Sequence, residues 1–396
     1  MPTLEFAAPH IKINVRRHQQ DQVMRKTKLH IQFHTPAFLG DATQSGRWRT
    51  PPFKAQLRQW WRVAYAAQQQ FAVNVQEMRD IEGRLFGHVR RENDSFVCDG
   101  KRVDTSARKS EVRIRLNKWA EGQLKSWDRL EAAMVHHPEA EKVRYQVGPH
   151  AYLGYGPLDG RGGTKLQDKQ GKPNAAIQAN EDAELAIAFP HEQAHPLEHA
   201  LQLMNLYGTV GGRSRNGWGS YSLTRLDGEP MPGSATPTQS LAQCLSKDWP
   251  HALGVDSHGP LIWQTKAHSD WAGLMRTLAD IKIKLRTQAA FKFPHAQPDG
   301  QVHDRHWLSY PITRHDVNDW RVKNLRLPNQ LRFKVRPMVD GKLVGLIFHM
   351  PHKPPVDFDP RPAELMRIWG LVHKHLDGYI KPAPDSEHLK LTRITA

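Results

Sequence analysis

One order of hydrophobic periods runs through this chain twice, and that repetition restricts its possible folds more than any other feature. In the first pass Thr27 to Phe33, TKLHIQF, puts Leu29, Ile31 and Phe33 on one side at period two, the pattern of a half-buried strand. Pro51 and Pro52 then open FKAQLRQWWRVAYAAQQQF, where Phe53, Leu57, Trp60, Trp61 and Ala64 fall on one helical face. A second helix, Glu77 to Phe86, stops at Gly87, and a polar basic insertion or hairpin follows from His88 to Arg108. EVRIRL (Glu111 to Leu116) reads as a strand, AYLGYG (Ala151 to Gly156) as a strand end, RGGTKLQDKQGKPN (161–174) as a loop and AELAIAF (Ala183 to Phe189) as another strand. Pro196 opens a helix through Tyr207 that ends at Gly208, and a glycine-rich loop leads into WGSYSLTRL, a closing strand.

Residues Asp227 to Gly259, rich in Pro, Gly and Ser, read as a linker, and beyond them the order recurs. PLIWQTKA is a strand, and Trp271, Leu274, Met275, Leu278, Ile281 and Leu285 mark a helix capped by Ser269 or Asp270. After a long histidine-rich loop to about Leu327, LRFKVRPMVDGKLVGLIFHM is a hairpin with Asp340-Gly341 as a two-residue turn. Arg361 to Ile380 is the next helix and HLKLTRIT the last strand. The expected fold is α+β: two tandem ferredoxin-like (RRM-like) βαββαβ modules with insertions, residues 1–226 and 260–396, joined by the linker 227–259. A length of 396 residues agrees with two modules, since single cores stop growing at roughly 250–300 residues.

Charge indicates the partner class. The chain has 56 Lys+Arg against 40 Asp+Glu, a formal net charge of +16, which attracts polyanions from a distance. Nucleic acid leads. An anionic membrane is disfavoured, because no basic amphipathic helix has an aromatic face to spare from a core. There is no run of 18 apolar residues, and MPTLEFAAPHIKINVRRHQQ lacks the apolar region of a signal peptide, so the cytoplasm is expected. Cys98 and Cys244, without a C-x-x-C pair, provide neither a disulfide framework nor a zinc ribbon.

Three stretches could carry chemistry. HEQAH, His191 to His195, matches the H-E-x-x-H zinc pattern, which needs both histidines on one face of a continuous helix. Pro190 and Pro196 flank it and position 201 is leucine, so a turn between strand and helix is the better account and no metal is expected. Lys54, Arg58 and Arg62, spaced by four, form a basic stripe without intervening acids, preceded by Arg47 and Arg49; a solvated helix face is the plain alternative to phosphate contact. The loop Gly208 to Gly219 has neither the P-loop nor the dinucleotide order of glycines. Its Gly211, Gly212, Arg213, Ser214, Arg215 and Asn216 combine backbone N–H groups with guanidinium forks, a phosphate grip, while Trp218 either stacks on a base or packs beneath the sheet. The first helix and this loop are expected to frame one cleft.

HTPAFLGDATQSGRWRTPPFKAQLRQWWRVAY, IEGRLFG, YLGYG and GGRSRNGWGS, in that order, resemble the first-subunit family of the Cmr complex, the RAMP-superfamily effector of type III-B CRISPR systems. RLPNQLRFKV, Arg326 to Val335, is a weaker echo. The resemblance implies ferredoxin-like folds and a non-catalytic subunit near the crRNA 3′ end that binds guide RNA and captures target RNA beside other effector subunits, without a cofactor. By motif position it puts the stripe and the loop arginines where the family contacts RNA. The resemblance does not extend to the insertion at 94–108 or to the histidine-rich loop near 303–315. The alternative is a metal-independent endoribonuclease of the same superfamily that processes CRISPR transcripts, for which His34 or His150 with Tyr155 would have to supply acid and base.

Overall fold

The computed structural model describes residues 23–98, 101–127, 134–141, 147–160, 164–168, 170–294 and 299–394. The N-terminal stretch read for a leader, and parts of the 161–174 and histidine-rich loops, lie outside these residues.

The first half opens with β1 (Met24–Phe33), α1 (Thr50–Gln68) and α2 (Val75–Phe86). The Asn74 side chain caps α2 by accepting from the N–H groups of Gln76 and Glu77, and Gly87 ends it at φ +76°. The expected insertion is an antiparallel ribbon of β2 (His88–Cys98) and β3 (Lys101–Arg108). Then come β4 (Arg113–Leu116), the short α3 (Pro138–Glu141) and α4 (Pro149–Gly154), β5 (Asp182–Pro190), α5 (Ala194–Tyr207) and β6 (Tyr221–Arg225). The YLGYG region is therefore largely helical rather than a strand end, because Pro149 presets the first helical φ and Ala151 and Leu153 are buried along that short helix. The sheet has the order β4-β5-β1-β6, with every neighbouring pair antiparallel. Its inner face, Leu29, Ile31, Phe33, Leu185, Ile187 and Leu223, packs on α1 and α5.

The stretch read as a linker is folded. β7 (Thr238–Ser240), α6 (Leu241–Cys244), β8 (Leu253–Asp256) and β9 (Gly259–Pro260) form a three-stranded sheet with a capping box between Ser240 and Gln243. Its Cys244, Leu245, Ala252 and Leu253 are buried, a sparse apolar set that the surrounding Pro, Gly and Ser conceal in the sequence.

The second half contains β10 (Ile262–Thr265), α7 (Trp271–Thr287), α8 (Asn318–Val322), β11 (Leu331–Pro337), β12 (Leu343–His349), α9 (Pro362–Gly378) and β13 (Leu391–Arg393). Asp270 caps α7 by accepting from Gly273 N at 2.8 Å. The hairpin turns through five residues rather than two. Pro337 pairs with Leu343, Met338 N donates to Lys342 O, and only Gly341 of the Asp-Gly pair takes a positive φ, whereas the type I′ turn that Asp-Gly favours needs both. The order β11-β12-β10-β13, again antiparallel throughout, repeats that of the first sheet.

The halves share their cores. Leu331, Phe333 and Val335 of β11 join the second core with α7 and α9, while Ile262, Phe348 and Met350 join the first. Phe348 lies 5.2 Å from the ring of Tyr207 on α5, so the second sheet covers that helix. Among the described residues no helix is long and apolar enough to cross a membrane.

Candidate nucleic-acid interface

The glycine-rich loop is closed at its base, where Val210 N donates to Gly219 O and Thr209 bridges Ser220. Gly219 stands at φ +64°, and a Cβ there would lie 1.9 Å from Val210 O; Gly211, at φ +92°, would meet Phe38 O at 2.7 Å. These two positions require glycine on both counts. Gly219→Ala is expected to cost about 2–3 kcal/mol in a denaturant melt, from left-handed strain and a backbone clash. A loss under about 0.5 kcal/mol would show that the loop relaxes freely.

The loop's polar side chains reach inward as well as outward. Arg213 Nε donates to Tyr155 O at 2.6 Å, and Asn216 Nδ2 to Leu153 O at 2.7 Å. Arg215 Nη1 reaches Asn329 O at 3.3 Å, and Phe333 N donates to Arg215 O. Gly212 N donates to Phe38 O. Four of the quoted motifs therefore meet here: HTPAFLGD, YLGYG, the loop itself and RLPNQLRFKV. Trp218 is wholly buried beside Phe38, Trp127 and Trp271, with centroids 5.1, 5.5 and 5.9 Å away, so it packs and has no face free for a base. At the tip, the backbone N–H groups of Arg213, Ser214 and Arg215 have no hydrogen-bond partner among the described residues, and Arg213 sits at φ +56°. Successive free N–H groups in such a turn suit an anion.

The helix stripe is partly compensated. Arg58 and Arg62 both bond Glu82 Oε1, with Arg62 Nη2 at 2.6 Å. The acid missing from the stripe comes from α2, across the packing of two helices, so helical spacing on α1 alone could not reveal it. One buried carboxylate between two guanidinium groups leaves net positive charge. Lys54 keeps its amine below the usual lysine range, through burial first and Arg58 second. Arg47 lies 3.4 Å from Asp41, and Arg49 donates to Gly40 O at 2.6 Å. Residues 38–41 thus separate the two basic groups, bonded to Gly212 at one end and to Arg47 and Arg49 at the other.

Further cations surround the loop that sequence reading did not single out. Lys282 on α7 donates to Asn216 Oδ1 at 2.6 Å; burial, then Arg286 and Arg213, lower its pKa to about 7. Arg332 on β11 is held down to about 9 by burial and then by Arg215, and its Nε has no partner among the described residues. Lys334, also buried, donates to Met204 O, Asn205 O and Gly208 O at the end of α5. The available signal was the period-two run Arg332, Lys334, Arg336 and the i,i+4 pair Lys282 and Arg286.

The groups imagined for catalysis are mostly inside the molecule. His34 bonds Ser222 Oγ at 2.9 Å, and burial followed by Lys334 lowers its pKa to about 4. His150 is wholly buried, with Nε2 3.0 Å from Ala272 O and indole rings of Trp127, Trp218 and Trp271 around it. Tyr155 is exposed. His191, Glu192 and Gln193 form a single helical turn before α5, and among the described residues no group of three or more His, Cys, Asp or Glu could hold a metal ion.

No protein-family model matches this chain, and no curated protein does. Solved structures to which it is similar include Cmr proteins. The crystal structure of Cmr1 from Pyrococcus furiosus in its apo form is 14% identical over 88% of this chain and 96% of that one, with a TM-score of 0.40. A chain of the type III-B Cmr-beta complex bound to cognate target RNA is 10% identical over 88% of this chain and 99% of its own, with a TM-score of 0.45.

Proposed function

We propose that this chain is a non-catalytic RNA-binding subunit of a type III CRISPR ribonucleoprotein, built from two ferredoxin-like modules and contacting guide and target RNA beside other effector subunits. The fold part of this reading is supported by strand order: each sheet runs second, third, first, fourth strand of a βαββαβ unit, all antiparallel. The functional part rests on one observation. Arg213, Arg215, Lys282 and Arg332 converge on the glycine-rich loop, and none has a carboxylate within ion-pair distance among the described residues. Desolvated cations that repel one another raise the cost of the unbound state, and a polyanion laid across them relieves it. RNA backbone is the polyanion that the ordered motifs favour.

The test is a fluorescence-anisotropy titration of the full chain with single-stranded RNA and with duplex DNA, at about 50 and about 200 mM salt. The expected result is RNA preference and a steep salt slope. An Arg213→Ala/Arg215→Ala variant should bind roughly tenfold more weakly with a slope flatter by about 1.4, the value for two phosphate contacts on a single strand. Because both arginines also hold neighbouring segments, its melting temperature is measured alongside. No RNA binding by the unaltered chain at low salt would sink the reading.

A further inference from the structure

The first sheet turns one face to its helices, and the other is left open among the described residues, with Lys26, Lys28, Arg113 and Arg115 exposed on it. Along β1, Leu29 and Ile31 are buried while Lys26 and Lys28 project from the opposite side; along β4, Leu116 is buried, as is Val112 just before the strand, while Arg113 and Arg115 are exposed. The pairing registers these four cations across the sheet. Lys26 and Arg113 both stand opposite Ala188 of β5, and Lys28 and Arg115 both stand opposite Ala186. Two rails of positive charge therefore flank a floor of two alanines. The rails are about 10 Å apart, two strand spacings, and the cations of each rail about 7 Å apart, two residues along a strand.

We infer that this open face is a second RNA-backbone site, separate from the glycine-rich loop, on which a single strand lies along the alanine floor with phosphates between the rails. This rests on the reading of the chain as RNA-binding and adds a surface to it. None of the four cations has a carboxylate partner among the described residues, although Arg25, next to Lys26 in the chain, pairs with Glu198 from the helix side. The face's carboxylates, Asp182 and Glu184, lie further along β5, where Asp182 is 3.5 Å from His30. Among the described residues the β5 side chains between the rails are Ala186 and Ala188, and the apolar pair Met24 and Pro190 stands beyond their end, so the area between the rails has no aromatic or aliphatic anchor of the kind on which protein interfaces depend. Phosphate contact needs no such anchor: long flexible cations over a shallow floor neutralise a backbone without reading its sequence. The patch was not legible beforehand, because its rows are set by strand pairing between segments far apart in the sequence.

The test uses the full chain with a Lys26→Gln/Lys28→Gln/Arg113→Gln/Arg115→Gln variant, whose changed side chains lie on the open face and leave the core untouched. A single-stranded homopolymer of about 30 nucleotides is titrated across a salt series beside the loop variant Arg213→Ala/Arg215→Ala. The expected result is a log–log salt slope flatter by about 3 in the sheet-face variant, the value for four lost phosphate contacts on a single strand, with an unchanged melting temperature. An unchanged slope in that variant while the loop variant loses affinity overturns the second site alone. Unchanged binding in both variants overturns both contact surfaces and places the RNA elsewhere on the chain, and no binding by the unaltered chain overturns the RNA-binding reading itself. Full RNA binding by the sheet-face variant together with lost co-assembly in an effector complex assigns the face to an acidic protein neighbour and likewise overturns the proposal.

Discussion

Replacing Lys334 with alanine is expected to destabilise the protein by about 3–5 kcal/mol, from a buried cavity together with lost hydrogen bonds. Its amine sits in the seam between the halves and donates to three carbonyls at the C-terminus of α5, with the Tyr221 ring centroid 4.9 Å away. Met204 O also accepts from Gly208 N, whereas Asn205 O and Gly208 O accept from no backbone N–H among the described residues, and all three lie at the negative end of the helix dipole. Burial, and Arg336 after it, depresses the pKa of this lysine well below the ordinary range, so the site tolerates the amine for its hydrogen bonds. Lys334→Ala removes the donor from Asn205 O and Gly208 O in a buried seam, while Met204 O keeps the Gly208 N–H. Lys334→Met restores volume without donors and should fall between alanine and the native protein. Urea unfolding followed by fluorescence of the buried tryptophans measures both. A split of the transition in the alanine variant would show that this side chain couples the halves, and a loss under about 1 kcal/mol would remove it from that role.

Lys334 also shows what the sequence could and could not disclose. Strands with one buried face were legible, since TKLHIQF and AELAIAF keep strict alternation and are found as strands, and Tyr221 to Arg225 of WGSYSLTRL is the strand at the end of the first half. So was α1, whose Phe53, Leu57, Trp60, Trp61 and Ala64 are buried together, and so was the Asp270 cap. The six residues of α4 were too few for a helical period to declare itself, and the linker's buried leucines were diluted among turn residues. The loop's glycines could be read as a close approach of backbone, but not what they approach. Arg213 meets a carbonyl 58 residues away and Arg215 one 114 residues away, contacts that only tertiary folding creates. The compensation of Arg58 and Arg62 by Glu82 was hidden for the same reason: spacing along one helix cannot show a partner on another.

RNA affinity is expected to fall as pH rises above about 7, and Lys282 is the group responsible. Its pKa of about 7 in the fold lies below the ordinary lysine value, through burial first and then Arg286 and Arg213; the Tyr152 ring centroid is 6.0 Å from its amine. Arg286 is itself bonded to Ser309, and Arg305 beside it to Glu139, so that nearby carboxylate is already engaged. A lowered pKa means that the unfolded chain holds this proton more tightly than the native one. Stability should therefore climb with pH between about 7 and about 10, by up to about 1.4 kcal/mol per unit. A phosphate near Asn216 acts in the opposite direction, because it favours the charged amine and raises its pKa, so binding above pH 7 takes up a proton. Affinity should then weaken by as much as about tenfold per pH unit through that window. The Lys282→Met variant, which has no proton to gain, should show a flatter dependence in both melts and anisotropy titrations from about pH 6.5 to about pH 8.5. Parallel pH profiles for the native protein and the Lys282→Met variant in the melts would show that the amine is charged in the fold. Parallel profiles in the titrations alone would place the RNA beyond the reach of Lys282, on a surface other than the one the loop and α7 form together.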